Sequence, residues 1–222
     1  MIRTTVAVGG FSSEVGKTTL VCELLRHLHG WEAIKLTRGH YRSCGKDPHA
    51  CCVSHLLGDE PLIRSGRKET YAPGKDTGRY WDAGASNVHW VIVTDAQVEQ
   101  GIRLALERVR APGVLIEGNS FLKFVGVDFA VMVAGAFGVK IKPSARRALK
   151  VCSALYLSDA ACADAAHDGV AACDAAAARE RLTPLLPGDA DRELLAALPL
   201  YTRAELPSLI ARIRAIQGSR AA

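Results

Sequence analysis

The chain has 222 residues, room for one sizeable domain and too little for two full ones. Hydrophobic residues make up 49% and charged residues 23%, which excludes a disordered chain or a fibrous repeat. Lys and Arg total 28 against 23 Asp and Glu, but these basic residues are scattered, so the net +5 excludes a nucleic-acid-binding stripe and suits a polyanionic small ligand or a solvated surface.

In chain order, residues 4–9 read as a strand, 17–29 as an amphipathic helix with Leu20, Val21, Leu24, Leu25 and Leu28 at helical spacing, and 32–36 as a second strand. That is one β-α-β unit. From 38 to 85 the chain is rich in Gly, charged residues, Cys and His, with short helices expected near 48–57 and 75–83, and reads as a Cys/His-rich insertion over the active face. Short apolar runs at 88–94, 114–117, 129–133 and 154–157 read as further strands, with a helix over 95–109. Asp95 is either a site residue or, the preferred reading, the N-cap of that helix. The remainder, 160–222, reads as a C-terminal helical region: an alanine-rich helix over 160–178 interrupted at Gly169, then an amphipathic helix over 204–216 carrying Leu206, Leu209, Ile210, Ile213 and Ile216 on one stripe. Alternating strands and helices imply a single α/β domain over 1–222, a mostly parallel sheet covered by helices on both faces. Ligands bind such sheets at the carboxyl ends of the strands, here just after Val8, Leu36, Thr94 and Ile116.

No apolar run approaches the roughly 18 residues of a membrane helix, and the opening residues lack the order of a secretory signal, so no membrane association and a cytoplasmic location are expected. Seven cysteines then suit thiols, metal ligands or packing better than disulfides.

The segment from Val6 to Leu20 is a strand, a Gly-containing loop and Gly16-Lys17-Thr18-Thr19 opening a helix. This is the context a phosphate loop requires. Backbone N–H groups from Gly10 through Ser13, Glu14, Val15 and Gly16 to Thr19 can curl around an anion, and the helix N-terminus adds about half a positive charge. Lys17 neutralises β- and γ-phosphates, and the Thr18 hydroxyl can ligate magnesium. Five residues separate Gly10 from Gly16, one more than the usual pattern.

That longer loop, with Ser13-Glu14-Val15-Gly16-Lys17-Thr18, resembles the phosphate loop of dethiobiotin synthetase. A broader resemblance covers roughly the first half of the chain. Ala33-Ile34-Lys35-Leu36-Thr37, then Gly74-Lys75-Asp76-Thr77 leading into Ala83-Gly84-Ala85, and finally Ile116-Glu117-Gly118 follow the order found in the molybdopterin-guanine dinucleotide biosynthesis adaptor family. The resemblance implies a P-loop NTPase fold, a homodimer, binding of GTP and a cofactor-biosynthesis enzyme as partner. It also favours Lys75 and Asp76 as contacts to phosphate or metal, which would otherwise read as a solvated turn. Residues 119–121 and 37–40 depart from both families, and no Asn-Lys-x-Asp guanine motif is present, Tyr156-Leu157-Ser158-Asp159 lacking the Lys. The base is therefore open between GTP and ATP.

Magnesium is expected between Thr18 and Glu117, whose strand ends beside the phosphate loop, with Lys17 and Glu117 as the catalytic pair. Lys35 either faces the phosphates or snorkels to the surface. Cys44, His49, Cys51, Cys52 and His55 fall within twelve residues, with Cys51 and His55 at i and i+4, so a zinc-type tetrahedral site is geometrically open, with His40 as a further ligand. The alternative has the cysteines as buried packing residues and the histidines as polar surface, the role also expected of Cys22, Cys152, Cys162 and Cys173 being packing. Three functions follow: a weakly hydrolysing, nucleotide-dependent adaptor in cofactor assembly; an ATP-dependent ligase or kinase similar to dethiobiotin synthetase; and a nucleotide-gated metal carrier using the Cys/His cluster.

Overall fold

The computed structural model describes residues 3–39, 53–135, 141–158 and 175–221. Its centre is an eight-stranded sheet in the order β3-β4-β2-β5-β1-β6-β7-β8, formed by β1 (Thr4–Gly10), β2 (Glu32–Arg38), β3 (Leu62–Ser65), β4 (Val88–Val93), β5 (Gly113–Glu117), β6 (Phe129–Gly135), β7 (Ala154–Ser158) and β8 (Leu200–Tyr201). All pairs are parallel except the edge pair β3–β4. The helices are α1 (Lys17–His27), α2 (Arg67–Thr70), α3 (Asp76–Asp82), α4 (Val98–Arg108), α5 (Pro143–Leu149), α6 (Ala175–Leu182), α7 (Asp189–Ala197) and α8 (Leu206–Ala221).

Every residue of β1, β5, β6 and β7 is buried, as expected of parallel strands covered on both sides. Along β1 and β5 the period-two alternation sends Ala7 and Ile116 to one core with Ile102 of α4 and Leu149 of α5. It sends Val6, Val8 and Leu115 to the other, with Leu24 of α1, Tyr80 of α3 and Leu209 of α8. Each fully buried leucine or isoleucine in these layers contributes about 1.5–3 kcal/mol. The expected alternation of strands and helices is present throughout, and the final helix buries Leu206, Leu209, Ile210 and Ile213 as its stripe requires.

The segment read as an insertion differs in its described part. Residues 62–65 add an antiparallel strand to the sheet, and α3 places Tyr80 with no exposed surface in the core beneath α1. The four-residue strand is too short for periodicity to reveal it, whereas α3 lies where a short helix was expected near 75–83. The described part of the segment contributes Asp76 and Arg79 to one wall of a cleft at the carboxyl ends of the strands, while residues 40–52 lie outside the described residues. Asp95 is not an N-cap: α4 starts at Val98, the Gln97 side chain accepts the Thr94 amide at 2.9 Å, and Asp95 pairs with Arg38 at 2.6 Å. The two-residue strand β8 was too short to read from pattern. Cys22 and Cys152 are packing residues, burial pushing their thiols up to about 11 and about 12, while Cys162 and Cys173 lie outside the described residues.

At the amino-terminal end of β2 a buried charge stitches four segments together. Glu32 is 4% exposed and His89 of β4 is 1% exposed; the Glu32 Oε2 to His89 Nε2 distance is 2.7 Å, and His89 Nδ1 lies 2.8 Å from Ser65 Oγ of β3. The other oxygen of Glu32 accepts the amides of Arg110 and Ala111, both at 2.9 Å. Burial alone would raise the Glu32 carboxyl, but the hydrogen bonds from His89 and the two amides outweigh it and hold its pKa below the ordinary value. Ionised Glu32 therefore stabilises the fold above the ordinary carboxyl range, and this contribution is lost as pH falls through its depressed folded value. Glu32→Ala is expected to cost about 3–5 kcal/mol at neutral pH in urea unfolding, the deficit narrowing in acid; an equal deficit at about pH 3 and pH 7 would place the stabilisation elsewhere.

Candidate functional site

The loop between β1 and α1 stands at the carboxyl end of the central strand. Glu14 (φ 58°) and Gly16 (φ 88°) take left-handed backbone, turning the chain sharply before the helix, which begins with the Leu20 amide on Gly16 O at 3.0 Å. A left-handed glutamate is a strained choice that the surrounding loop must hold in place. Val15 drops into the core beneath and anchors it. Asn119, two residues beyond the end of β5, fixes the loop's other end: its Oδ1 accepts the Gly10 amide at 2.9 Å and its Nδ2 donates to Gly10 O at 2.8 Å. A Cβ on Gly9 would lie 2.5 Å from that Asn119 oxygen, so the position requires glycine. Lys17 folds back over the loop to donate to Ser12 O at 2.9 Å, and Lys142, just before α5, donates to Ser13 Oγ at 2.6 Å.

Beside the loop, three side chains meet at Glu117, which is 2% exposed. Thr18 Oγ1 donates to its Oε2 at 2.9 Å, and the Tyr80 hydroxyl donates to the same oxygen. Lys35 Nζ lies 2.5 Å from Glu117 Oε1 and 2.5 Å from Asp76 Oδ2. Burial would lower the Lys35 ammonium, but the two carboxylates outweigh it and raise its pKa. Burial would raise Asp76, yet the Lys35 ammonium holds it below its ordinary value. Lys17 is lowered, chiefly by burial and further by Lys35 and Lys142, with Glu117 opposing. Burial and the Glu117 charge push the Tyr80 phenol well up. A cleft of about 480 Å³ joins Lys17, Thr18, Lys35, Asp76, Arg79 and Glu117, with Arg79 donating to Thr19 Oγ1 at 3.2 Å.

Gly10, Ser13 to Thr19, Lys35, Asp76 and Glu117 thus come together as one site. Lys35 neither snorkels nor stands alone; it bridges the two acids. Lys75 is exposed at the start of α3 and outside the cleft wall. His55 is exposed in a single 3₁₀ turn, Ser54–Leu56, while His40, Cys44, His49, Cys51 and Cys52 lie outside the described residues. Among the described residues no group of three or more His, Cys, Asp or Glu is placed to hold a metal by itself. Sequence reasoning missed Tyr80, Arg79, Asn119 and Lys142 as site residues. The available signal for Tyr80 was its i+4 spacing from Asp76, which puts both on one helix face.

No family model matches the chain, and no curated protein matches it. Solved structures with the same fold do. HypB from Helicobacter pylori in complex with nickel is 12% identical over 98% of this chain and 87% of that one, with a TM-score of 0.50. The hydrogenase maturation factor HypB from Archaeoglobus fulgidus is 14% identical over 97% of this chain and 90% of that one, with a TM-score of 0.55. At these identities the likeness shows the fold: an α/β P-loop NTPase with a mostly parallel sheet.

The burial of Tyr80 has a spectroscopic consequence. In an alkaline absorbance titration of the five tyrosines, Tyr80 is expected to ionise only as the chain unfolds. Tyr80→Phe should leave the pre-unfolding amplitude unchanged and cost about 1–3 kcal/mol of stability by removing a donor from a buried carboxylate. A smaller pre-unfolding amplitude in the variant would contradict the packing described.

Proposed function

We propose that the chain binds a nucleoside triphosphate with magnesium, hydrolyses it slowly, and acts as a nucleotide-dependent adaptor in the assembly of a cofactor of the molybdopterin-guanine dinucleotide type. The observation that carries the nucleotide reading is the convergence of Lys17 and the loop amides with the Thr18 hydroxyl and the carboxylates of Asp76 and Glu117 around one cleft. Hydroxyl and carboxylate oxygens are the donors a hard divalent ion takes, so Thr18 with Asp76 and Glu117 fits magnesium. Magnesium, when bound, neutralises charge on the β- and γ-phosphate oxygens. Lys17 supplies the fixed cation at the loop, and its lowered pKa reflects a partly desolvated ammonium, the state in which its attraction to phosphate is strongest. Arg79 is placed to reach a phosphate oxygen from the α3 side. Slow hydrolysis is supported by the lack of a glutamine among the described residues of the cleft wall to orient water. The adaptor role is supported by the order of the Ile34-Lys35, Gly74-Lys75-Asp76 and Ile116-Glu117-Gly118 segments, which follows that family and now frames the site.

A second reading, a nucleotide-gated metal carrier, is supported by the fold shared with a HypB crystallised with nickel and by the Cys44 to His55 cluster of the sequence. Metal analysis of protein purified without chelator decides it: under about a tenth of an equivalent, with no uptake on titration with zinc or nickel, removes it.

Fluorescent ATP and GTP analogues, each competed with the unlabelled nucleotide in magnesium, test the main proposal. Saturable binding is expected, weakened about 10- to 100-fold in Lys17→Ala through loss of a charge-assisted contact. GTP preference supports the adaptor. ATP preference moves the assignment to a ligase or kinase similar to dethiobiotin synthetase, and no binding of either nucleotide overturns the proposal.

A further inference from the structure

A second cavity leads away from the phosphate loop. A narrow passage of about 130 Å³, bounded by Ser12, Lys17, Leu36 and Asn119, opens into a wider cleft of about 360 Å³. Arg38, Asn119, Ser120 and Ser144 wall both spaces, so the two adjoin. Lys17 and Lys142 in turn wall both the passage and the magnesium-side cleft. The wider cleft lies beyond the carboxyl ends of β2, β4 and β5, between the start of α4 and the exposed face of α5, where open α/β sheets place their ligands. Its volume is that of a small-molecule site, about 300–1,000 Å³, and too small for a folded partner.

The chemistry of its wall is one-sided. Arg38, Lys123, Arg147 and Lys150 face a single carboxylate, Asp95, which is already committed to Arg38 at 2.6 Å. Arg147 and Lys150, at i and i+3 across the last turn of α5, make no hydrogen bond or ion pair among the described residues. Two cations from one helix face, uncompensated beside a concavity, attract an anion. Besides the polar Asn119, Ser120 and Ser144 on the passage side, the remaining wall is apolar: Val98, Leu122, Ala148 and Val151. The apolar stretch of Val98, Leu122 and Ala148 beside the cations suits a ligand with an apolar body next to its charged group.

We infer that this cleft binds a second, anionic small molecule, a carboxylate or phosphate ester with a short apolar body, whose anionic group is held by Arg147 and Lys150 and whose other end points through the passage toward Lys17. The orientation rests on the nucleotide reading, because only a triphosphate at the phosphate loop gives that end something to face; the anion site itself does not. Asn119 couples the two spaces, since the side chain that walls the passage also holds both polar groups of the Gly10 backbone.

The test is ligand-observed NMR titration of the full chain with phenyl phosphate and with 4-phenylbutyrate, which separate the two anion types, and with neutral 4-phenylbutanol. Each is run alone and with a saturating non-hydrolysable nucleotide and magnesium. At least one anionic probe is expected to bind saturably and to remain bound with nucleotide present. The neutral probe and the double variant Arg147→Glu/Lys150→Glu should each bind about tenfold more weakly or worse. Both substituted positions are exposed, and a matching unfolding midpoint confirms that the variant is folded. No saturable binding of either anion, equal binding by the double variant, or displacement of the probes by nucleotide would overturn the inference; displacement would mean that they had sat in the phosphate loop. Retained, arginine- and lysine-dependent probe binding in a protein that binds no nucleotide would support the anion site while removing the nucleotide reading on its own.

Discussion

The buried carboxylate of Glu117 is the constraint on which the site depends. A charge 2% exposed at the end of the central β5 strand is tolerable only if paired and hydrogen-bonded, and the chain meets that demand from three directions. Thr18 comes from the start of α1, Lys35 from β2 and Tyr80 from α3. Each of these segments is thereby locked to β5, and the geometry of the phosphate loop follows from their mutual position. Lys35 extends the arrangement to Asp76, so one ammonium holds two acids in the wall of the cleft.

The sheet order explains why the demand can be met at all. β5 lies between β1 and β2, so the loop after β1, the strand end of β2 and the acid of β5 stand side by side without any long side chain having to span a strand. On the other side of β5's end, Asn119 closes the loop by pairing with both polar groups of Gly10. The two residues that follow one another closely in sequence, Glu117 and Asn119, thus hold the helix end and the strand end of the same loop. A second buried charge, Glu32 with His89, does comparable work at the opposite end of β2 and β4, and there its role is to hold strands together.

The loop from Gly10 to Thr19, Glu117 as the acid and the two-sided parallel sheet were all legible in the sequence, because each is carried by local chemistry: a glycine-bearing turn before an amphipathic helix, an acid ending an apolar run, and apolar runs too continuous for a one-faced sheet. Asp76 was legible through resemblance and not through periodicity. Tyr80, Arg79 and Asn119 were not, because what makes them site residues is contact across 37 to 109 positions of chain, and no spacing rule reaches that far. Asp95 was misread because an acid after an apolar strand has the pattern of an N-cap, and only the position of Arg38 across the β2–β4 pair shows where its charge goes. The strand at 62–65 was hidden by its length, too short to show a period, whereas helix α3 falls where a short helix was expected near 75–83.

The central claim is that Lys17, Thr18, Asp76 and Glu117 form a magnesium-dependent triphosphate site. Isothermal titration calorimetry of the unlabelled protein with ATP and with GTP, in excess magnesium and again in excess EDTA, tests it most directly. The account predicts that at least one triphosphate binds at one site per chain in magnesium and that its affinity falls at least about tenfold in EDTA. Triphosphate binding of equal affinity with and without magnesium, or none in either condition, would contradict it.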